Sequence, residues 1–386
     1  MVLEFVAYWP DSACRELNFD SSSKAKADSG WIAYRTSLGE LVIARMDGNL
    51  KRHISTKAGV ANFVWSPDGD WLLFDDQSYY QIYRVQSNGD NLQAIIPTNT
   101  SIVGAEPQVS PDGHWIYFLG TKGDGPDEVY RIEWDGFNPQ KVTSLANFND
   151  PKGYTEVTNF KLSPDGRSIL IQVIVGQTTQ QYYVLHLPTR GLTKLFEFAI
   201  QDGLYIFGWT PDSQWVTVVI QEQLSLLMAR SNGNDIHEFP IEEPTHIQST
   251  AWSQDMRWLY FMGWEGSDTG LFRVHSNGQG IEQLVTENSG GFIIGNPQLS
   301  MGGRWLAIGM EVTLPSRGYT RNLVLVKEDG TEKRIVAQDF DWKAAWQPPL
   351  RYRWSKIWLT IAGILMFSIG MVGLIKLSHQ SVSLFD

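Results

Sequence analysis

The chain has 386 residues, a formal net charge of −11 and one cysteine. A single cysteine excludes a disulfide-framed domain, and an acidic chain repels phosphate backbones, so we expect no nucleic acid partner. Hydrophobic residues make up 42% of the chain and charged residues 19%, which excludes disorder and predicts a sizeable core. The 16 tryptophans and 35 glycines favour many short strands joined by tight turns.

The N-terminal residues carry no recognisable targeting signal. Met1 to Pro10 contain neither a basic start nor an apolar run of signal-peptide length. Residues 1–27 precede the first repeat, and we interpret them as an N-terminal arm. Cys14 lies in this arm without a neighbouring histidine, so we interpret it as an incidental residue rather than a catalytic thiol.

A six-residue motif recurs along most of the chain. Ser66–Trp71 reads Ser-Pro-Asp-Gly-Asp-Trp, and close or looser copies follow at Ser110–Trp115, Ser163–Ser168, Thr210–Trp215, Ser253–Trp258 and Ser300–Trp305, with a shortened copy at Asp28–Trp31. Serine, proline, aspartate and glycine at four successive positions suit a type I turn. We therefore assign a structural turn role, rather than acid–base chemistry, to the aspartates Asp68, Asp112, Asp165 and Asp212.

Each of these seven turns is followed by the same sequence of elements. A short β-rich run comes first, then a second strand, then a second turn near a glycine that is often Asn-Gly or Asp-Gly. The turns recur at intervals of about 41 to 55 residues, which is typical of propeller blades. The pattern predicts an all-β fold over residues 28–347, a seven-bladed β-propeller of four-stranded antiparallel blades.

The first blade lacks an obvious innermost strand. Lys343 to Gln347 resembles the strand that precedes the turn at Ser66, and no further strands follow it. We therefore predict that this segment completes the first blade and that Trp346 closes the ring, which removes an open sheet edge. The alternative is that Phe5 to Pro10 supplies the inner strand.

The repeated Ser-Pro-Asp-Gly-x-Trp motif resembles the TolB-like, WD-repeat-like propellers. They include the propeller of TolB and the propellers that gate prolyl-oligopeptidase-type peptidases. The resemblance covers about residues 28–347 and is specific for the fold. The chain departs from both relatives, because it shows no extra N-terminal domain of the TolB kind and no α/β-hydrolase domain.

The C-terminal part predicts a membrane anchor. Residues 357–375 form 19 uncharged, mostly apolar residues, close to the length that crosses a bilayer. Residues 348–356 form a short linker and 376–386 a short tail. Three cations before the span against one lysine after it favour a cytoplasmic propeller, as does the missing signal. The family resemblance favours an extracytoplasmic one.

Chemistry-bearing motifs are scarce. The seven histidines show no metal-ligand spacing, so we expect no catalytic residue, metal or cofactor; a small-molecule ligand stays unknown. We interpret the recurrent tryptophans that begin the β-rich run after a turn as packing between blades. Aromatic residues that break the repeat lie in or beside variable connections, where recognition is common. These candidate partner-binding residues are Tyr79, Tyr80, Tyr154, Trp264, Phe292 and Tyr319.

Together these patterns favour a membrane-anchored, non-catalytic protein-interaction or scaffold module, in one version a subunit of a membrane complex. The alternative is a glycan lyase or hydrolase with an active site in the propeller channel, which needs no linear motif. Because the variable connections should gather on the face opposite the repeated turns, we expect partners on that face.

Overall fold

The architecture is seen in a computed structural model of the chain. The described residues are 30–54, 59–76, 81–144, 148, 155–200, 205–220, 225–239, 241, 246–265, 268–286, 291–313 and 318–348.

The described residues form strands and one 3-10 turn at Thr98–Thr100. In chain order the strands are β1 (Trp31–Thr36), β2 (Leu41–Arg45), β3 (Lys51–Ile54), β4 (Val60–Trp65), β5 (Trp71–Asp76), β6 (Ile82–Gln86), β7 (Gln93–Ala94), β8 (Ile102–Val109), β9 (Trp115–Lys122), β10 (Glu128–Glu133), β11 (Gln140–Lys141), β12 (Thr155–Leu162), β13 (Ser168–Val175) and β14 (Thr179–His186). They continue with β15 (Gly191–Ala199), β16 (Tyr205–Trp209), β17 (Trp215–Ile220), β18 (Ser225–Arg230), β19 (Ile236–Glu238), β20 (His246–Trp252), β21 (Trp258–Glu265), β22 (Asp268–His275), β23 (Glu282–Thr286), β24 (Gly291–Leu299), β25 (Trp305–Thr313), β26 (Tyr319–Lys327), β27 (Lys333–Gln338) and β28 (Phe340–Trp346).

These strands form seven four-stranded antiparallel sheets, so the predicted seven-bladed propeller is confirmed. Six blades use consecutive strands, from β4–β7 in blade 2 to β24–β27 in blade 7. Blade 1 has the order β28-β1-β2-β3, and Ile32 on β1 pairs with Trp346 on β28. The innermost strand of the first blade therefore comes from the far end of the described chain.

The repeated turns are held by their own side chains. In the first full copy, the Ser66 hydroxyl donates to the Asp68 carboxylate at 2.6 Å, and that carboxylate accepts the Asp70 N–H at 3.1 Å. The same pair of bonds recurs at Asp112, Asp165, Asp212 and Asp255. Gly69 has a φ of 71°, a left-handed conformation that favours glycine. Aspartate therefore organises these turns because it accepts both from a side chain and from the backbone.

Two looser copies of the turn keep the geometry without glycine. Ser213 and Met256 occupy the left-handed position with φ of 61° and 59°. Blade 4 departs from prediction at its second turn: Gly191 begins β15, and Arg190 takes the left-handed conformation with φ of 58°. In the turns that contain Ser213 and Met256, the hydrogen bonds from Thr210 to Asp212 and from Ser253 to Asp255 hold the geometry without the intrinsic preference of glycine.

The core is divided among the junctions between blades. Each of seven buried apolar clusters joins two neighbouring blades, including the junction of blades 7 and 1. The tryptophans that begin the second strands lie at these junctions, and an arginine guanidinium covers each of them, as Arg131 covers Trp115 at 4.0 Å. Trp305 is buried and the others are half-buried. They pack between blades as predicted, but at the rim of each cluster.

The disc has two distinct faces. The two turn types lie together, because the backbone N–H of Ser87 donates to Asp70 and that of Trp134 to His114, each across one blade. We call this side the turn face. The opposite side holds the connections that begin the inner strands and those between second and third strands, such as Ser37 to Gly39. We call it the variable face.

The predicted N-terminal arm, the Phe5 to Pro10 alternative, the linker beyond Pro348, the span 357–375 and the tail lie outside the described residues. In the part of the chain that the structure describes, no helix has the length and apolarity needed to cross a membrane.

Candidate functional site

The innermost strands line the central channel. In four adjacent blades, charged or polar residues on the first or second strand interrupt the repeated pattern beside the channel. At one equivalent position the second strands carry Arg35 in blade 1 and Asp75 in blade 2, whereas blade 3 carries Leu119 and blade 5 carries Val219. Arg35 donates to the carbonyls of Val60 and Ala61 on the next inner strand, at 3.1 and 3.0 Å. Repeat-breaking charges therefore tie consecutive blades together around the channel.

Asp75 holds a hydrogen-bonded chain across three inner strands. It is 0% exposed and accepts hydrogen bonds from the backbone and the side-chain amide of Asn62, the latter at 3.1 Å. It also accepts the Glu106 N–H of blade 3 at 2.6 Å. The Lys343 ammonium of blade 1 donates to the Asn62 side-chain oxygen at 2.8 Å. One carboxylate thus organises polar groups from β28, β4 and β8.

Lys161 lies beside this hydrogen-bonded chain, on the fourth inner strand, β12. The Gln108 side chain brackets it, donating to the Phe160 carbonyl at 2.8 Å and accepting the Leu162 N–H at 2.8 Å. Glu106 precedes Gln108 by two residues on the same strand. We call the set Asn62, Asp75, Glu106, Lys161 and Lys343 the channel arc.

The charges of the channel arc influence one another. Burial, together with repulsion by Lys161, lowers the pKa of Lys343 to about 8, although Asp75 and Glu106 oppose the shift. Burial raises the pKa of Glu106, against the attraction of both lysines. Lys343 on β28 of blade 1 and Lys161 on β12 of blade 4 both lie on inner strands, which line the channel.

Burial within the ring also lowers the pKa of Lys161, and Glu106 opposes this. The side chain is nevertheless exposed to channel water. A residue enclosed by the ring but open to solvent is only partly desolvated, and this partial desolvation lowers its pKa.

Several polar groups beside the channel arc have no hydrogen-bond partner among the described residues. On β12 these are the buried Thr158 hydroxyl and the buried Asn159 side-chain oxygen, next to a register shift in the strand. The Lys161 ammonium and the Glu106 carboxylate form no hydrogen bond or ion pair with the described residues either, although the Lys161 carbonyl accepts one from Trp209. Unsatisfied buried polar groups are rare, so a cluster of them calls for an explanation.

The variable face carries a second unusual group. Tyr319 is 59% exposed and Trp342 is 44% exposed, and the Arg321 guanidinium lies 5.1 and 5.0 Å from their ring centroids. Glu311 fixes this arginine by a 2.9 Å ion pair. Trp342 adopts a left-handed φ of 57° on β28, which turns it out of the strand pattern. We call Tyr319, Arg321 and Trp342 the aromatic group.

Of the six aromatic residues selected from sequence, Tyr319 is the one whose side chain is described. Trp264 lies near the end of β21 and Phe292 near the start of β24, so both flank connections as expected. Tyr79, Tyr80 and Tyr154 lie outside the described residues. Trp342 and Arg321 were missed; Trp342 directly precedes the predicted closing strand Lys343 to Gln347 and was not counted among the variable connections.

Trp346, the predicted ring-closing residue, is half-buried, and its indole N–H donates to the Gln298 carbonyl at 2.8 Å. Trp65 makes the equivalent bond to Ala345 at 3.0 Å, and Trp209 to Lys161 at 2.9 Å. These indoles join neighbouring inner strands. Gln347 adds a side-chain bond to the Gly69 carbonyl at 2.6 Å.

The channel arc was also missed from sequence. Lys343 was noticed only as part of the closing strand, and its neighbours are scattered from residue 62 to residue 161. A register alignment of the seven repeats would have found the signal, since Asn62, Glu106, Asn159 and Lys343 occupy one equivalent position. Within the described residues, no three His, Cys, Asp or Glu side chains are grouped so as to hold a metal ion.

Comparison with known proteins shows the fold. No family model matches the chain. Among solved structures it is similar to TolB from Acinetobacter baumannii, with 16% identity, a TM-score of 0.49, and coverage of 83% of this chain and 67% of that one. An oligogalacturonate lyase in complex with manganese shares 12% identity over 81% of this chain and 85% of that one, with a TM-score of 0.56. A puromycin-hydrolyzing peptidase from Mycobacterium tuberculosis shares 10% identity over 82% of this chain and 55% of that one, with a TM-score of 0.57.

Proposed function

We propose that this protein is a non-catalytic protein-interaction module that binds partners through its variable face and is held at a membrane by residues 357–375. The observation that carries the binding role is the exposed aromatic group. Tyrosine, tryptophan and arginine are the residue types that dominate the energetics of protein interfaces. Here an exposed tyrosine and an exposed tryptophan flank a half-buried arginine on a rigid scaffold.

The geometry of the aromatic group supports a preorganised contact. The Glu311 ion pair and the two ring faces hold the Arg321 side chain, so little rotamer freedom remains to be lost on binding. Leu38, which is 80% exposed, lies on the same face in the neighbouring blade. An aromatic and apolar surface with a fixed cation fits a protein partner with an apolar patch flanked by carboxylates.

The membrane role of this proposal is supported by sequence alone, through the length of the apolar run and its flanking cations. If the protein is instead a permanent subunit of a membrane complex, the same surface binds its partner, and only the lifetime of that contact differs. An enzyme acting on glycans is the second candidate, and the channel arc is the observation that favours it.

Site-specific photo-cross-linking tests the proposal. A benzophenone amino acid is placed at position 319 on the variable face or at position 137 on the turn face, where Phe137 is 69% exposed. We expect a discrete cross-linked partner from position 319 in the full-length chain, and its loss on Arg321→Ala or Trp342→Ala. Partners that cross-link equally from position 137, or that persist in both variants, would contradict the proposed surface.

A further inference from the structure

We propose that the channel arc, together with Thr158 and Asn159, binds a small carboxylate ligand that also carries hydroxyl or ammonium donors. This site goes beyond the protein-binding surface of the variable face. It uses different residues, on the inner strands of blades 1 to 4, and its occupancy is measured independently of any protein partner.

The first argument is that some charged groups beside the channel have partners and others do not. Arg35 forms an ion pair with Asp341 at 2.7 Å, and Asp75 accepts hydrogen bonds from three donors. Lys161 and Glu106, in contrast, are coupled electrostatically but form no ion pair. Opposite charges that face a common channel without closing on each other leave room for a group between them.

The second argument is whether each unpartnered group donates or accepts a hydrogen bond. An ammonium at Lys161 and a hydroxyl at Thr158 can donate, which suits a carboxylate. The Glu106 carboxylate and the Asn159 side-chain oxygen can accept, which requires an O–H or N–H on the ligand. A ligand that offers both kinds of group satisfies all four positions, whereas water satisfies them without neutralising the lysines.

The third argument is the pair of ammonium groups that the inner strands of blades 1 and 4 contribute beside the channel. Lys343 and Lys161 repel each other across it, and a carboxylate bound between them stabilises both ammonium forms. Charge-assisted hydrogen bonds of this kind are stronger than neutral ones. The ligand is small because β8 and β12 are joined through the single side chain of Gln108, so a few heavy atoms reach both strands.

Isothermal titration calorimetry on the full-length chain tests the site with matched probes. D-gluconate and D-sorbitol differ by one carboxylate, and L-glutamate replaces the hydroxyl donors with an ammonium. At pH 7 we expect saturable binding of gluconate or glutamate and none of sorbitol. No binding of either carboxylate, or equal binding of sorbitol, overturns the proposal.

Variants locate the binding. Lys161→Met should weaken the affinity about tenfold or more, since it removes a charge-assisted bond, and Lys161→Arg should restore most of it. Lys333→Met, at an exposed lysine on β27, is the matched control and should bind as the unmodified chain does. Unchanged binding by a folded Lys161→Met variant contradicts the site, and circular dichroism establishes that folding.

The pH profile gives an independent readout. The groups that face Lys343 are Asp75, Glu106, Lys161 and Arg35, and its pKa lies at about 8 in the free protein. Carboxylate affinity should therefore fall by up to about tenfold per pH unit above 8, as the competent ammonium form is lost. A flat profile between pH 7 and pH 10 contradicts a role for Lys343 in binding.

Discussion

The turn face and the channel arc show two ways in which a repeated sequence produces structure. On the turn face, five turns form the same pair of hydrogen bonds around an equivalent aspartate, and the Asp112 turn repeats the bonds of the Asp165 turn. In the channel arc, equivalent positions hold different residues, and Asn62 depends on Asp75 and Lys343 from other strands. The turn is a local structure, whereas the arc exists only when blades 1 to 4 are assembled.

This difference predicts which substitutions should reduce the stability of the fold most. A turn contact involves neighbours in sequence and is open to water, which can replace a lost bond. An arc contact involves buried groups from several blades, which water cannot reach as easily. We therefore expect equal changes in chemistry to have unequal effects on stability.

The largest effect is expected at Asp75. Asp75→Ala removes the acceptor for the backbone N–H groups of Asn62 and Glu106 and for one amide, all within the ring. We expect the free energy of unfolding to fall by about 3–5 kcal/mol, since buried donors lose their partner. Denaturant titration measures this, and a loss below that of a turn variant such as Asp112→Ala would remove the distinction between the two regions.

The second effect concerns pH. Because the pKa of Lys343 is about 8 in the folded chain and about 10.4 when unfolded, the unfolded chain binds more protons between these values. This lysine therefore makes the free energy of unfolding rise with pH from about 8 to about 10.4, by at most about 1.4 kcal/mol per unit. Denaturant titrations at several pH values should show the rise in the unmodified chain and a smaller one in Lys343→Met; parallel profiles would refute it.

The third effect compares tryptophans whose indole N–H donates a hydrogen bond with one whose indole N–H has no acceptor among the described residues. Trp65 and Trp252 are 5% and 8% exposed at equivalent positions, but the Trp252 N–H has no partner among the described residues. Trp65→Phe loses the bond to Ala345, so it should destabilise by about 1 kcal/mol more than Trp252→Phe. Trp346→Phe should lose its bond to the Gln298 carbonyl in the same way. Thermal melting of the three variants checks this order, and equal losses at Trp65 and Trp252 would mean that the bond across the closing strand contributes little.

The smallest effect is expected on the turn face. Asp112→Ala, Asp165→Ala and Asp212→Ala each remove two bonds in an exposed turn, and each should cost about 1 kcal/mol or less. Because the turns are equivalent, the three losses should agree within about 0.5 kcal/mol. A large spread among them would show that the turns are coupled to their blades and are not independent local structures.

The sequence predicted what local chemistry determines. The Ser-Pro-Asp-Gly motif predicts a turn because serine, proline and aspartate each favour that geometry within a few residues. The blade count follows from counting these turns. The looser copy at Ser253 was also recognised, because Asp255 keeps the key acceptor.

The channel arc and the aromatic group could not be predicted in the same way. Glu106 and Lys161 are 55 residues apart in a chain whose inner strands read as apolar or mixed, and only the closed ring brings them to one channel. Trp342 lies just before the predicted closing strand, and its left-handed backbone falls where the pairing of β28 with β1 is irregular. Tertiary assembly, not local propensity, determines both.

The pairing of β28 with β1 also has a consequence during synthesis. β1 leaves the ribosome long before its partner, because Ile32 pairs with a residue roughly 300 positions later. At translation rates of about 5–20 residues per second, the first blade waits about 15–60 seconds with one sheet edge unpaired. An open edge is a template for wrong pairing, so the nascent chain passes through a period when shielding by a chaperone would matter most. The last blade to become complete is thus the first to be made.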